Sequence, residues 1–403
     1  MPPKRSASDA NGSGKKANGG GKSSGKGAAE KSSRRILVTA GEGQTGRLII
    51  DLLATDDDYT SKYDELTALV FSEEAKSVLE EYDSVKVIIF DPKDDEMLVK
   101  SMELVDTCLL IPPARKDKAK ITRQLIDAAK KAKTVQNLVF LSSVGADYAE
   151  RDKQPRLREF IDLEVLAMQP KGDPSTGDTG HSPCIIRAGF YAENLLLYTK
   201  QAQGEGKLPI PIGENHKFAP VALGDVAQVA AHVITSEGPH GLADDVRSQI
   251  LVVTGPQLVA GPELAQAASQ ALGTKMEFEA IDEATAKKIL NSPQGAEVDE
   301  AEREYLLEYY SLVREGKTNY TATTSMLAYF GTRGQEPTEF FATYSEEFKP
   351  KKRRTAAHAK ASVPTRTSNR NKGKATSVTV EDVDEDESMG DAGALRKTVT
   401  KDL

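Results

Sequence analysis

The stretch ILVTAGEGQTGRLIIDLLA, Ile36 to Ala54, constrains the fold of this chain more than any other. An apolar β-forming run leads into three glycines, Gly41, Gly43 and Gly46, spaced GxGxxG, and these lead directly into a segment of helical periodicity. In such a turn the first glycine permits the tight reversal, the second lets the backbone approach a pyrophosphate, and the third lets helix and strand pack closely. The amides at the helix start, around Gln44 and Thr45, then face the anion. Strand, turn and helix together predict a dinucleotide site at Gly41, Gly43, Gln44, Thr45 and Gly46; the alternative reading is a tight turn with a purely structural role.

Further apolar runs follow at intervals: ELTALVF, VKVIIF, DTCLLI, NLVFLSS, CIIRAG and ILVVTG, separated by amphipathic stretches such as ITRQLIDAAKKAK. Strands buried on both faces read as continuous apolar runs of this kind, and their alternation with helices predicts an α/β fold: a Rossmann-type, doubly wound parallel sheet. After Ala192 the pattern loosens into helices broken by short extended pieces. This predicts a smaller mixed α/β lobe over the carboxyl ends of the sheet, where open α/β folds bind ligands. The expected division is a Rossmann part over residues 34–190 and a smaller lobe mostly over 191–348.

The ends differ in kind. Residues 1–33 are rich in Lys, Gly and Ser with almost no large apolar side chains, and 349–403 carry a basic block followed by an acidic one; neither can repay the entropy of ordering, and both are expected to be disordered. The net charge of −8 therefore conceals an acidic centre, with 31 basic against 51 acidic residues between Ile36 and Phe348. Such a core would repel a phosphate backbone, which confines any nucleic-acid contact to the tails. The segment PKKRR, Pro350 to Arg354, has the composition of a nuclear-import signal and points to a nuclear and cytoplasmic protein, the alternative being a merely solubilising tail. No apolar run approaches the ~18 residues a membrane span needs. Cys108 and Cys184 sit in strand-like runs as expected buried thiols, the five histidines show no metal-ligand spacing, and LSSVGAD lacks the GxSxG form of a nucleophile elbow.

Cofactor selectivity is normally set where the second strand ends, here Phe71 followed by Ser72 and Glu73. Glu73 suits a free ribose hydroxyl, Ser72 and Lys76 suit a 2′-phosphate, and Glu73 is equally a first-turn helix acid. These residues leave NAD against NADP undecided. Asp91, after VKVIIF, is placed either to touch the adenine end or to cap a helix.

The order of motifs resembles the NmrA-like family of atypical short-chain dehydrogenases/reductases, over about Arg34 to Pro350. The resemblance rests on ILVTAGEGQTG, FDPKDDEML (Phe90–Leu98), NLVFLSSVGAD (Asn137–Asp147), IIRAGFYAENLL (Ile185–Leu196), APVALGDVAQVA (Ala219–Ala230) and VVTGPQLVAGPELAQAASQALG (Val252–Gly273). It implies NAD(P) binding, with Phe71, Ser72, Asp91, Pro112 and Ser142 joining the glycine turn around the dinucleotide. It also implies a substrate pocket lined by Pro113, Ser143, Phe190, Tyr191 and Asn194. Some members of this family reduce quinones or imine-like compounds; others bind the cofactor without turning it over and regulate transcription or signalling.

Two departures bear on chemistry. The wider superfamily's Tyr-x-x-x-Lys pair, in which a helix sets phenol and ammonium on one face, is missing: Tyr148 and Lys153 are five apart and fall on different faces. In RLREFIDLEVLAM (Arg156–Met168), which is similar to the family's helix ending in a buried Glu (Glu164), Phe160 stands where many members carry lysine. No acid catalyst is visible, and Ser142 and Tyr191 are the hydroxyls available to protonate a reduced quinone. The sequence therefore favours an NAD(P)-binding regulator that engages a protein partner, with little or no turnover. The second reading is an NAD(P)H-dependent oxidoreductase acting on a quinone or similar conjugated substrate; the third is a tail-driven chromatin protein.

Overall fold

A computed structural model of the chain describes residues 33–171, 182–295 and 298–350. The two compositionally biased tails lie outside these residues but for Ser33 and the Lys349–Pro350 pair, and PKKRR past Pro350 lies outside with them. Eleven strands are described: β1 (Arg35–Val38), β2 (Glu65–Val70), β3 (Val85–Ile89), β4 (Thr107–Leu110), β5 (Asn137–Ser143), β6 (Ser182–Ala188), β7 (Lys207–Ile210), β8 (Lys217–Phe218), β9 (Ile250–Val253), β10 (Val259–Ala260) and β11 (Glu277–Ala280). Seven form one sheet in the order β3-β2-β1-β4-β5-β6-β9, parallel at every pairing. The fold is the expected doubly wound α/β sheet.

Period-two alternation divides each apolar run between two cores. In β5, Leu138 and Phe140 face helices Asp95–Met102, Lys118–Lys131 and Pro155–Met168, whereas Val139 and Leu141 face helices Gln44–Thr55 and Leu223–Thr235. Phe140 is completely buried, and truncating such a side chain to Ala costs about 3–5 kcal/mol.

The chain beyond Gly189 does two things. Helix Leu223–Thr235 and β9 return to the sheet. The rest builds a third core, in which Phe190, Tyr198, Phe218, Leu264, Tyr310 and Phe341 pack together, supported by the parallel pair β7–β11 and the antiparallel pair β8–β10. Strand order reverses between β1 and β4, and there the Thr39 hydroxyl ties the two strand ends together. It accepts from the Ile111 amide (2.8 Å) and donates to the Ile111 carbonyl (3.1 Å). This switch point opens the crevice in which such sheets bind ligands.

Candidate functional site

The three glycines of the first turn are kept for different reasons. A Cβ on Gly46 would lie 2.3 Å from the Ala40 carbonyl oxygen, so helix Gln44–Thr55 and β1 approach as closely as they do only because no side chain intervenes. Gly41 differs from expectation: the left-handed residue of the turn is Ala40 (φ 50°), and Gly41 is held instead by packing, its absent Cβ falling 3.0–3.3 Å from Ile50, Leu79 and Val70. Gly43 has ordinary extended geometry (φ −67°, ψ 157°), and a Cβ there meets only the Ala40 oxygen, at 3.4 Å. The fold thus does not need glycine at 43. Helix Gln44–Thr55 carries neither a side-chain cap nor a first-turn acid, so its leading amides are left for an anion.

From this turn a cavity of about 650 Å³ runs across the carboxyl ends of β1, β4, β5 and β6. Its walls include Gly43, Gln44, Thr45 and Gly46 from the turn, Pro112, Pro113 and Arg115 after β4, Ser142 and Ser143 at the end of β5, and Tyr191 and Asn194 after β6. The volume lies within the range of small-molecule and cofactor sites.

Ser142 is committed to a buried ionic network. Its hydroxyl donates to Glu164 Oε1 (2.5 Å), and Arg187 grips the same carboxylate bidentately (2.9 and 2.8 Å) while pairing with Asp147 (3.0 Å). The hydrogen bond and charge of Glu164 hold the Arg187 guanidinium further toward its charged form. Ser142 is therefore a positioned hydroxyl whose proton faces a carboxylate, not a proton source for a bound molecule.

The opposite wall is helix Glu300–Arg314, capped by Asp299, whose carboxylate accepts from the Ala301 amide (2.8 Å). Its Glu304 and Glu308, one turn apart, lock it to helix Pro155–Met168. Glu304 pairs with Arg156, and Glu308 accepts from the otherwise uncapped amides of Arg156 (3.3 Å) and Leu157 (2.9 Å). The neighbouring stripe then turns Glu302 and Tyr305 into the cavity. The Ser143 hydroxyl lies within hydrogen-bond distance of both the Val144 carbonyl (3.1 Å) and the Tyr305 hydroxyl (2.8 Å), and in the second bond either hydroxyl can donate. Burial, then the nearby Glu302, push the Tyr305 phenol well above its usual range, and burial does the same to Tyr191, against a hydrogen bond with Thr45.

Lys118 completes this end. Its ammonium sits 4.1 Å from the centre of the Phe160 ring and donates to the Arg156 carbonyl (3.0 Å). Burial lowers its pKa, opposed by Glu159 (3.7 Å) and Glu302. Where the family resemblance finds Phe160 in place of lysine, an ammonium from another helix lies on that ring. Arg115, Lys118, Glu302 and Tyr305 were not singled out by the sequence; the one signal was an acid, Glu302, heading the stripe Tyr305–Tyr309 at helical spacing.

Other expected residues stand elsewhere. Phe190 does not line the cavity. It is buried against Phe218, Tyr309 and Tyr310 (5.3–5.5 Å between ring centres), because the strand alternation that turns Tyr191 outward turns Phe190 into the third core. Phe71 lies beside the cavity wall rather than in it, edge-on to Phe90 (5.3 Å) and under the Arg115 guanidinium (5.1 Å). Ser72 caps helix Glu73–Leu79 by accepting from the Ala75 amide (3.1 Å). Asp91 is exposed and accepts from the Lys93 amide (2.9 Å), while the helix cap is Asp94. Tyr148 is half exposed and Lys153 pairs with Glu150 (2.8 Å), so neither reaches the cavity. Cys108 and Cys184 are buried free thiols held protonated by burial. Among the described residues no cluster of His, Cys, Asp and Glu is placed to hold a metal, and no helix is long and apolar enough to cross a membrane.

Comparison with known proteins gives the following. The family model described as NmrA-like family matches residues 32–326. An NAD(P)H azoreductase of Xenophilus azovorans is 27% identical over 222 residues, which is 55% of this chain and 70% of the relative. Among solved structures, an NADPH-dependent quinone oxidoreductase from Escherichia coli, complexed with NADPH, aligns with a TM-score of 0.61 at 21% identity, covering 77% of this chain and 99% of that one. NmrA, a negative transcriptional regulator solved with NADP, aligns with a TM-score of 0.59 at 14% identity, covering 77% and 95%. At these identities the structural likeness establishes the fold.

Proposed function

The chain belongs to the NmrA-like family, and on that premise we propose that it binds NAD(P)(H) at the glycine turn and reduces a small conjugated acceptor, of the quinone or azo class, in the cavity beyond it. The residues fit a dinucleotide. The uncapped helix start offers its amides to a pyrophosphate, and Gly43 leaves open the space that a side chain would fill. A bound reduced nicotinamide supplies hydride to an acceptor. The chain's own part is to hold the two molecules together, exclude water and manage the proton.

The observation that carries the reading is the continuation of the cavity past the strand ends to Lys118, Glu302 and Tyr305. A site that only sensed a dinucleotide has no need of ionisable groups at the far end, each with its pKa shifted by burial. The relatives that reduce azo compounds and quinones support the acceptor class. The regulatory reading, supported by NmrA itself, shares the binding and denies the turnover.

Calorimetric titration of the full chain with NAD, NADH, NADP and NADPH, followed by a panel of quinones and azo dyes against whichever reduced form binds, tests the proposal. Acceptor-dependent loss of the reduced nicotinamide absorbance is expected. Tight binding with no turnover of any acceptor would refute the reductase and leave the regulator.

A further inference from the structure

We propose that Glu302 is the proton donor of the reduction: its carboxyl, carried on helix Glu300–Arg314 to the far end of the cavity, passes its proton to the acceptor as hydride arrives. This rests on the reductase reading and adds to it the residue that the missing Tyr-x-x-x-Lys pair leaves unnamed.

The argument is one of elimination within the cavity, then of chemistry. Ser142 faces the Glu164 carboxylate and has no proton to spare for a ligand. Tyr191 is tied to Thr45 at the glycine-turn end, and Tyr305 is hydrogen-bonded to Ser143. Both phenols are pushed above their usual range, which makes them weaker acids still. Asn194 carries no acidic proton. The two other cavity carboxyls that burial raises are engaged: both oxygens of Glu193 accept from the Leu223 amide (3.1 and 3.0 Å), and Glu42, at the glycine-turn end, accepts from the Phe71 backbone beside Arg115. Glu302 differs: it lines the cavity, is partly buried there and, among the described residues, makes no hydrogen bond and no ion pair at contact distance. Burial of an unpaired carboxyl shifts it toward its neutral form.

The groups facing it come from every neighbouring element. They are Lys118 and Arg156 across the cavity, Tyr191 after β6, Asp299 at the head of its own helix and Tyr305 one turn along. Burial raises the Glu302 pKa most, Lys118 draws it back and Asp299 adds to the rise. The result is an acid moved toward neutral pH, where general acid catalysis is most effective.

The step balances for a quinone. Two electrons and one proton arrive as hydride from the reduced nicotinamide, leaving it oxidised and the acceptor as a hydroquinone monoanion. The O–H bond of Glu302 breaks and a new O–H bond forms on the anionic oxygen. The carboxylate so left faces the Lys118 ammonium and recovers its proton from water at the cavity mouth.

The test compares the full-length parent with Glu302→Gln, Glu302→Asp and Tyr305→Phe. For Glu302→Gln, kcat falls ~10²-fold or more, the range for loss of a general acid, while acceptor KM and calorimetric dinucleotide affinity stay at the parent values. The parent's fall in kcat at high pH disappears, and Glu302→Asp recovers part of the rate. Infrared difference spectra of the acceptor-free protein supply a readout apart from activity: a protonated carboxyl band near neutral pH that vanishes in Glu302→Gln. If Glu302→Gln keeps the parent's rate and pH profile, if no such band exists, or if Tyr305→Phe alone removes the pH limb, the assignment is wrong. A parent that turns over no acceptor removes the reductase reading itself, and this inference with it.

Discussion

Gly43 and Gly46 are three residues apart in one turn, yet alanine at the two positions should do opposite things. At Gly46 the added Cβ lies 2.3 Å from the Ala40 oxygen, against the 3.4 Å at which ordinary contact begins. Ala40 already holds a left-handed φ of 50° and cannot yield cheaply. Helix Gln44–Thr55 must therefore part from β1, at the 1–3 kcal/mol or more typical of overpacking, roughly. At Gly43 the new methyl meets the same oxygen at 3.4 Å with ordinary backbone angles, so the fold loses at most about 1 kcal/mol from the poorer helix start. The methyl does, however, stand between the helix amides and a pyrophosphate. Losing one charge-assisted hydrogen bond there is worth about 1.5–3 kcal/mol, or roughly a ten- to hundred-fold weaker Kd. Urea unfolding and dinucleotide calorimetry on both variants separate the effects: Gly46→Ala should lose stability, and Gly43→Ala should lose binding while remaining folded. Gly43→Val should abolish binding. Parent affinity in Gly43→Ala, or equal destabilisation of the two variants, would refute the division of roles.

Three further outcomes are expected. Burial raises the Glu193 carboxyl to about 7, against backbone hydrogen bonds that include the Leu223 amide. The folded chain therefore keeps a proton that the unfolded chain releases, and stability is full at acid pH and lost as pH climbs from about 4.5 to about 7. The gap corresponds to about 3 kcal/mol, and the pH slope of urea stability should shrink by that order in Glu193→Gln; unchanged slopes would show that this carboxyl is not the cause. Arg115 lies over Phe71 where the second strand ends, beside the position that selects a 2′-phosphate. Arg115→Ala should weaken NADP binding ~10-fold by loss of one ionic contact and leave NAD unchanged, whereas parallel losses for both would place Arg115 elsewhere. Deleting Pro350–Arg354 from a tagged full-length protein should move it from nucleus to cytoplasm on imaging, and an unaltered distribution would discard the import reading of that segment.

All seven apolar runs named from the sequence became strands of the main sheet: the five inner ones are buried along nearly their whole length, whereas the edge strands β3 and β9 are only partly covered, with Lys86 and Ile250 exposed. The four strands that were not read are two to four residues long, and β11 shows why. Glu277–Ala280 is exposed at both ends and partly buried between, and it pairs with Lys207–Ile210 only after the third core has brought the two together. Its EFEA does alternate polar and apolar residues, but over only four positions, the least at which that pattern marks a strand. Phe190 failed for a related reason. GFYAENLL places Phe190 and Tyr191 side by side, and neighbours leaving a strand point to opposite sides, so naming both as pocket residues was stereochemically inconsistent.

The far end of the cavity was harder to read, for a reason of geometry rather than composition. Residues at strand ends stay next to the glycine turn because the sheet order places them there, so Ser142, Ser143 and Tyr191 could be assigned without knowing any other contact. Tyr305 reaches Ser143 from 162 residues away in the chain, and Glu302 comes to the same cavity with it, across an interface made by Glu304, Glu308 and Arg156. A search for tyrosine and lysine four apart asks whether one helix can present both groups. The cavity is satisfied instead by convergence, with an ammonium from helix Lys118–Lys131 lying on the ring of Phe160 and a carboxyl from helix Glu300–Arg314 facing it. What the reaction requires is an acid within reach of the acceptor and a charge to steady its conjugate base, and neither requirement fixes a spacing in the sequence. The absence of the expected motif therefore carries less weight against turnover than its presence would carry in favour, and the chemistry of this chain is decided by which side chains meet at the end of β5.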